Sequence, residues 1–299
     1  MLKWLIRGVG LLAVLVLLGV LGVMKWNERL ARDDLAKAAV PVPTAVPPSP
    51  LDDVLVLTPP TRDKRPGGML RRELFRQALL IAGRDGLGLR TRDPSLREVD
   101  RDADPESLAA TSADVDATDG GYVLDLKRQP RGKARVTLRY EIALDPAAGL
   151  TEIASRAEAA SREDMPRLLE QLGYPARREA DGKQGAERGG PAAADPGPEL
   201  VERFDLVSQF AAVRAWHAAI RAGGETPERL AGLSRAYANL GFLAERHWSP
   251  ASRVYHARSL LYAERLLRRT GGTPESYRVR AYARSLTGLP AAALEDLAR

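Results

Sequence analysis

The feature that most constrains this chain is a run of apolar residues near its start, Leu5–Met24. These twenty residues carry a single charge, Arg7. At a helical rise of about 1.5 Å per residue the run would cover about 30 Å, the thickness of a bilayer's hydrocarbon core. Trp4 and Trp26 stand at its two ends, where indole rings favour the lipid headgroups. The sequence therefore predicts a transmembrane helix at 1–26.

A cleaved signal peptide is the alternative interpretation of this run. The apolar region of such a peptide spans only about 7–15 residues and leads directly into a small-x-small cleavage site. Here the nearest such site, Ala36-Lys37-Ala38, lies well beyond Met24. We therefore expect an uncleaved signal-anchor in the inner (cytoplasmic) membrane of a bacterium, with the C-terminal bulk exported and the lipid bilayer as a partner of Leu5–Met24.

Composition excludes several classes of site and partner. The chain has no cysteine, which rules out disulfides and thiolate chemistry. Its net charge of +6 comes from basic residues that are interspersed with acidic ones. No basic run with interleaved aromatic residues occurs, as a nucleic-acid surface would need, so we expect no nucleic-acid partner.

No catalytic, cofactor or metal motif is present. The three histidines, His217, His247 and His256, have no HExxH or other close carboxylate spacing. The acidic segment 114–125 lacks the glycine that a calcium loop needs at its sixth position, where Asp119 stands. We therefore predict no cofactor and no metal site, and we assign no catalytic residue.

Changes in composition divide the chain into five parts. Prolines are dense between 41 and 68 and favour an extended, semi-rigid conformation. The predicted order is a transmembrane signal-anchor at 1–26, a juxtamembrane segment and Pro-rich stalk at 27–68, a small α+β domain at 69–174, a disordered linker at 175–198 and a helical repeat domain at 199–299.

Periodicity predicts the elements of the small α+β domain. Apolar residues three and four apart predict a helix over 70–82, stopped by Gly83. Strict alternation over 134–144 predicts a strand, with 122–126 as its antiparallel partner in a β-hairpin. Residues 93–121 are acidic and weakly periodic, which indicates a loop or disorder. Two further helices are predicted at 150–161 and 166–172.

Glycine and proline punctuate the last third of the chain. Gly223-Gly224 precedes Thr226-Pro227-Glu228, and the same signal returns as Gly271–Glu275. Paired glycines end a helix, while threonine caps the next one and proline occupies its first turn. Ser249-Pro250 and Leu289-Pro290 give similar start signals. The sequence therefore predicts successive helical hairpins.

Residues 233–241 carry a resemblance to a known family. Leu233, Ser234, Tyr237 and Gly241 have the large-small-large-glycine spacing of the first helix of a tetratricopeptide repeat, with Gly241 at the turn, and the region resembles that family. Its period from Thr226 to Thr273 is longer than the 34 residues of the family. The resemblance implies stacked helix pairs whose surface receives a protein or peptide. The candidate partner-binding residues are Trp216, Tyr237, Trp248, Tyr255 and Tyr262, with packing between helices as the alternative for each.

The predicted fold class is thus mainly α, with an N-terminal transmembrane helix, a small α+β domain with a β-hairpin and a C-terminal tetratricopeptide-like helical repeat. The function that follows is a membrane-anchored scaffold that binds other proteins. The alternative is a cell-envelope enzyme, or a subunit of one, with an unrecognised site in 69–174. Two carboxylates converging in an apolar-walled cleft there would favour the enzyme.

Overall fold

The computed structural model describes residues 12, 14–23, 25–26, 54–57, 68–87, 90–93, 111–128, 135–145, 147–174, 199–246 and 251–299. This part of the chain is mostly helical and contains one small sheet. Most of the predicted juxtamembrane segment and stalk, the connection between the two predicted hairpin strands, the linker at 175–198 and Trp248 lie outside the described residues.

The N-terminal apolar run forms a helix, α1, that is described over residues 14–23. No helix among the described residues is both long and apolar enough to cross a membrane. This finding contradicts the predicted transmembrane signal-anchor at 1–26 and, with it, the predicted single-pass membrane localisation.

The sheet has five strands in the order β2-β1-β3-β4-β5. They are β1 Val54–Leu57, β2 Arg90–Arg92, β3 Thr111–Thr118, β4 Gly121–Arg128 and β5 Val136–Ala143. β1 runs parallel to both of its neighbours, whereas β3, β4 and β5 form an antiparallel meander. The strands predicted at 122–126 and 134–144 are β4 and β5, and they pair antiparallel as expected.

Strand β3 lies in the segment that was expected to be a loop, 93–121. Its alternation is real, because Ala113 and Val115 are buried while Asp116, the next residue of the strand, is exposed. Small and acidic residues weaken that alternation in the sequence. Thr118 pairs with Gly121 across a two-residue turn, Asp119-Gly120, which is a dipeptide typical of tight hairpins. The described end of this segment, residues 111–121, is therefore a strand and a turn rather than a loop.

Strand β1 lies inside the segment 41–68, which was predicted to be a stalk. Its sequence is Val-Leu-Val-Leu, and prolines flank it at a short distance on both sides. A strand with parallel neighbours on both sides is typically a short continuous apolar run. The stalk prediction does not account for these four residues, because the density of proline around them hid a strand in the middle of the sheet.

Nine further helices are described. Beside the sheet lie α2 Gly68–Leu87, α3 Leu150–Glu163 and α4 Met165–Gln171, followed by α5 Glu199–Glu202, α6 Leu206–Gly223, α7 Pro227–Arg246, α8 Ala251–Thr270, α9 Pro274–Leu286 and α10 Pro290–Leu297. The helix signals act as the sequence predicts in the last third, where the Thr273 side chain accepts a hydrogen bond from the Ser276 N–H at the start of α9. Helix α2 instead continues through Gly83, since one glycine costs a helix only about 1 kcal/mol.

Helix α8 lies at the centre of the fold. From Ala251 to Glu264 every residue except Arg253 is buried. α7 and α9 pack on it from the C-terminal region, and α2 and α3 pack on it from the segment beside the sheet. The apolar core is accordingly continuous between 69–174 and 199–299. Whether those two segments fold independently, as the predicted domain boundary implies, stays a prediction.

Gly241 lies inside α7 rather than at the turn where the repeat-like spacing predicts it. Its Cα faces the ring of His256 on α8, and a Cβ built there would lie 2.4 Å from His256 Nδ1. The glycine therefore permits the close approach of α7 and α8.

We expect Gly241→Ala to lower the free energy of unfolding by about 1–3 kcal/mol, because the buried ring must move to admit a methyl group. Gly149→Ala is the matched control, since no atom lies within 4 Å of its Cβ position. Urea unfolding of both variants measures the difference. Equal stability of the two variants would contradict the tight α7–α8 contact.

Candidate functional site

The aromatic residues that the sequence singles out lie inside the helical region. Trp216, Tyr237, Tyr255 and Tyr262 are 8%, 1%, 4% and 2% exposed, respectively. The rings of Tyr237 and Tyr262 stack with their centroids 5.7 Å apart. These four side chains thus pack between α6, α7 and α8, the alternative that the sequence left open for each of them.

A chain of polar side chains passes through this aromatic cluster. The Tyr237 hydroxyl lies 2.8 Å from His217 Nε2 and accepts a hydrogen bond from Arg258 Nη1 at 3.2 Å. Arg258 Nε in turn donates to Gln77 Oε1 at 2.9 Å. The chain therefore joins α6, α7 and α8 to α2, which lies almost two hundred residues earlier in the sequence.

Two carboxylates converge at the α2 end of this chain. Arg76 Nη2 lies 2.7 Å from both Glu73 Oε1 and Asp93 Oδ2, and Gln77 Nε2 donates to the same two atoms at 2.8 and 2.6 Å. Burial opposes the charge of Arg76, but the two carboxylates outweigh that effect and raise its pKa above the ordinary value. Glu73 and Asp93 are at most 1% exposed. The cluster is therefore sealed by its own partners and does not form the open cleft that an enzyme would need.

A second buried cluster surrounds Glu264, near the end of α8. Arg280 Nη1 contacts both Glu264 carboxylate oxygens at 3.1–3.2 Å, and Arg280 also donates twice to Asp296, at 2.6 and 2.9 Å. The Thr151 hydroxyl donates to Glu264 at 2.7 Å. Glu264 is completely buried. This cluster fixes α9 and α10 to α8, and α8 to α3.

Glu264→Ala should lower the free energy of unfolding by about 3–5 kcal/mol, because it leaves buried arginines without a carboxylate they need. Glu275→Ala is the control, since it removes an exposed pair with Arg278 at 3.4 Å and should cost less than about 1 kcal/mol. Thermal or urea unfolding of the two variants tests the contrast. Similar losses would show that the buried cluster contributes no more than a surface pair.

No metal site is present in the part of the chain that the structure describes. No group of three or more His, Asp, Glu or Cys side chains is placed to hold a metal ion there. An open depression of about 520 Å³ lies between the end of β5 and α3. It is lined by Ala143, Leu144, Asp145, Glu152, Ser155 and Arg156. Its openness offers neither burial nor exclusion of water to a reacting group.

A surface stripe on α7 has the character of a binding site. Arg235, Asn239, Phe242 and Arg246 are four or three residues apart and so lie along one face of the helix, which we call the α7 stripe. Arg235 and Arg246 are exposed, and Phe242 is half-buried. Buried Asn239 supports the stripe, because its amide donates to Gln209 Oε1 at 3.0 Å.

Residues from two other elements border the α7 stripe. The Tyr282 hydroxyl of α9 donates to Asn239 Oδ1 at 2.5 Å, and the Arg235 guanidinium lies 5.7 Å from the centre of the Tyr282 ring. At the other end Phe204 is 48% exposed, with its ring centroid 5.7 Å from that of Phe242. Arg246 lies 4.7 Å from the centre of the Phe242 ring. Exposed aromatic and arginine side chains thus stand side by side.

The sequence did not single out these residues. Selecting aromatic residues by type gave the buried tyrosines, whereas the four-three-four spacing from Arg235 to Arg246 would have located the stripe. No protein family, no curated protein and no solved structure matches this chain. The resemblance of 199–299 to tetratricopeptide repeats therefore stays a prediction based on its residues.

His256 is a buried titratable group next to this helix. It is 9% exposed, and its Nδ1 has no hydrogen-bond partner among the described residues. Its Nε2 lies 3.7 Å from the exposed carboxylate of Glu245. Burial lowers the pKa of His256 below the ordinary 6.5, against the weaker opposite effect of Glu245. The folded chain therefore favours the neutral imidazole.

We expect stability to fall as pH drops below 6.5, the ordinary pKa of His256. In that range the unfolded chain binds a proton that the folded chain resists, so protonation favours unfolding. His256→Gln should reduce the change in urea midpoint between about pH 7.5 and 5.5. A variant with the same pH dependence as the wild-type chain would contradict the lowered pKa.

Proposed function

We propose that the helical region at 199–299 binds a protein or peptide partner, and that the α7 stripe with Phe204 and Tyr282 forms the contact surface. The resemblance to tetratricopeptide repeats supports this function, because stacked helix pairs of that kind present a surface to peptides. The proposal needs no cofactor.

The observation that carries the proposal is the pair of exposed Phe204 and half-buried Phe242, with exposed Arg246 beside it. Aromatic and arginine side chains are enriched in protein interfaces, and they are common among the few residues that supply most of the binding energy of an interface. A ring that is half exposed next to a second ring can accommodate an apolar side chain of a partner. The guanidinium of Arg246 can then bind a carbonyl or carboxylate at the rim of the contact.

The packing of α8 supports this choice of face. α2 and α3 pack on α8, and that side of the helical region is therefore occupied by the chain itself. The aromatic residues between α6, α7 and α8 are buried and cannot reach a partner without unfolding. Around buried Asn239, the α7 stripe combines the half-buried ring of Phe242 with the exposed cations Arg235 and Arg246.

Site-specific photo-crosslinking in cells that produce the protein naturally tests the proposal. We expect a photoreactive phenylalanine analogue at position 204 to give a discrete adduct with one protein. The same analogue at position 294 is the matched control, because Leu294 on α10 is also an exposed apolar residue, 68% accessible. Phe242→Ala should weaken the 204 adduct about tenfold, as the loss of a central aromatic contact does.

Adducts of equal yield at positions 204 and 294 would indicate non-specific adhesion and would contradict the proposal. Retention of the 204 adduct in the Phe242→Ala, Arg246→Ala double variant would also contradict it. Circular dichroism of that double variant checks that the helical content is unchanged.

A further inference from the structure

Among the strands that the structure describes, β5 lies at one edge of the sheet and pairs with β4 on one side. The Leu144 N–H donates to the Gly120 carbonyl at 3.0 Å, in the same register as the β4–β5 pair. Hydrogen-bonded and non-hydrogen-bonded pairs alternate along an antiparallel ladder. The backbone groups of every second residue, Thr137, Arg139, Glu141 and Ala143, therefore point away from β4, at the open edge.

This edge lacks several of the usual protections against pairing with another strand. Natural edge strands are often short, bulged, interrupted by proline or lined with charged side chains. β5 is eight residues long, contains no proline or glycine and pairs with β4 residue for residue without a bulge. Val136, Leu138 and Tyr140 on its core-facing side remain half-exposed. The strand thus offers both hydrogen bonds and apolar surface to a further strand.

The charged side chains on β5 favour one register of pairing with a second copy of this strand. A copy of β5 can pair antiparallel with β5 in two registers that cover most of the strand. In both registers the outward N–H and C=O groups of one copy face those of the other. A two-fold axis at Arg139 sets two guanidiniums against each other. An axis at Tyr140 instead places Arg139 of each copy opposite Glu141 of the other, which gives two opposite-charge pairs.

We propose that this protein forms a two-fold dimer in which β5 pairs antiparallel with β5 of a second copy around Tyr140. In this register Leu138 lies opposite Ile142 of the second copy, and Val136 lies opposite Leu144. The apolar side chains of both copies therefore meet on one face of the joined sheet, and the charge pairs form on the other. The dimer is independent of the partner surface on α7.

Single cysteines test this register, because the chain has no cysteine of its own. In the full-length protein, Tyr140→Cys should form an intermolecular disulfide with itself. The two positions form a non-hydrogen-bonded pair with Cα atoms about 4.5 Å apart, within disulfide range. Leu138→Cys is the matched control on the same face. Its two copies lie four residues out of register, about 13 Å apart, and should not crosslink.

Charge reversal tests the same contact without a covalent bond. Arg139→Glu and Glu141→Arg should each weaken the dimer at least about tenfold, because each places like charges opposite each other. An equimolar mixture of the two variants should form a heterodimer, since every cross-strand pair is then of opposite sign. Arg139 also lies 3.4 Å from Asp125 in its own chain, so recovery in the mixture distinguishes the interface from a folding defect.

Sedimentation velocity measures these associations. A wild-type chain that stays monomeric at every concentration overturns the proposal. That result is also the one expected if the edge of β5 pairs with a strand of another protein instead. A crosslink at Leu138→Cys with none at Tyr140→Cys overturns the register. A dimer that is insensitive to Glu141→Arg overturns the assignment to β5.

Discussion

The fold depends on the burial of two opposite charges on α8. Arg258 is 4% exposed and Glu264 is fully buried. A charge taken out of water without partners costs several kcal/mol, so each needs partners within the interior. The hydrogen-bond partners of Arg258 lie on α2 and α7, and the partners of Glu264 lie on α3 and α9. No single neighbouring segment supplies the partners of both charges, which come from segments in both halves of the chain.

This requirement distinguishes the helical region from a simple stacked repeat. In such repeats each helix pair contacts only its neighbours along the chain. Here Glu158 of α3 accepts hydrogen bonds from Arg265 and Arg268 of α8, both at 2.9 Å. The nearby carboxylates outweigh the effect of burial and raise the pKa of Arg265, so its charge is secure. The segment beside the sheet is therefore part of the environment of α8.

Local patterns in the sequence predict local structure well in this chain. The cap at Thr273 and the alternation that forms β5 involve interactions within a few residues, and both are found as expected. The sequence did not predict strands β1 and β3, because neither shows the alternation that identifies a strand. β1 has parallel neighbours on both sides and is a continuous apolar run. β3 consists largely of small and acidic residues. The predicted membrane span is contradicted because no helix among the described residues is both long and apolar enough to cross a bilayer.

The binding surface was not predictable from residue type. Tyr237 and Phe242 are five residues apart on α7, yet the first is buried and the second is half-exposed. That difference depends on which face of α7 meets α8, and the sequence of α7 alone does not contain this information. The spacing from Arg235 to Arg246 indicates a shared face, but the packing of the other helices is needed to show that the face is exposed.

The hydrogen bond between Arg258 and Gln77 joins residues 181 positions apart. A change at either position leaves a polar group in the interior without its counterpart, which selection would remove unless the second position changed as well. Mutational drift at these two sites is therefore coupled, and descendants of this chain should inherit the two residues together or exchange them together.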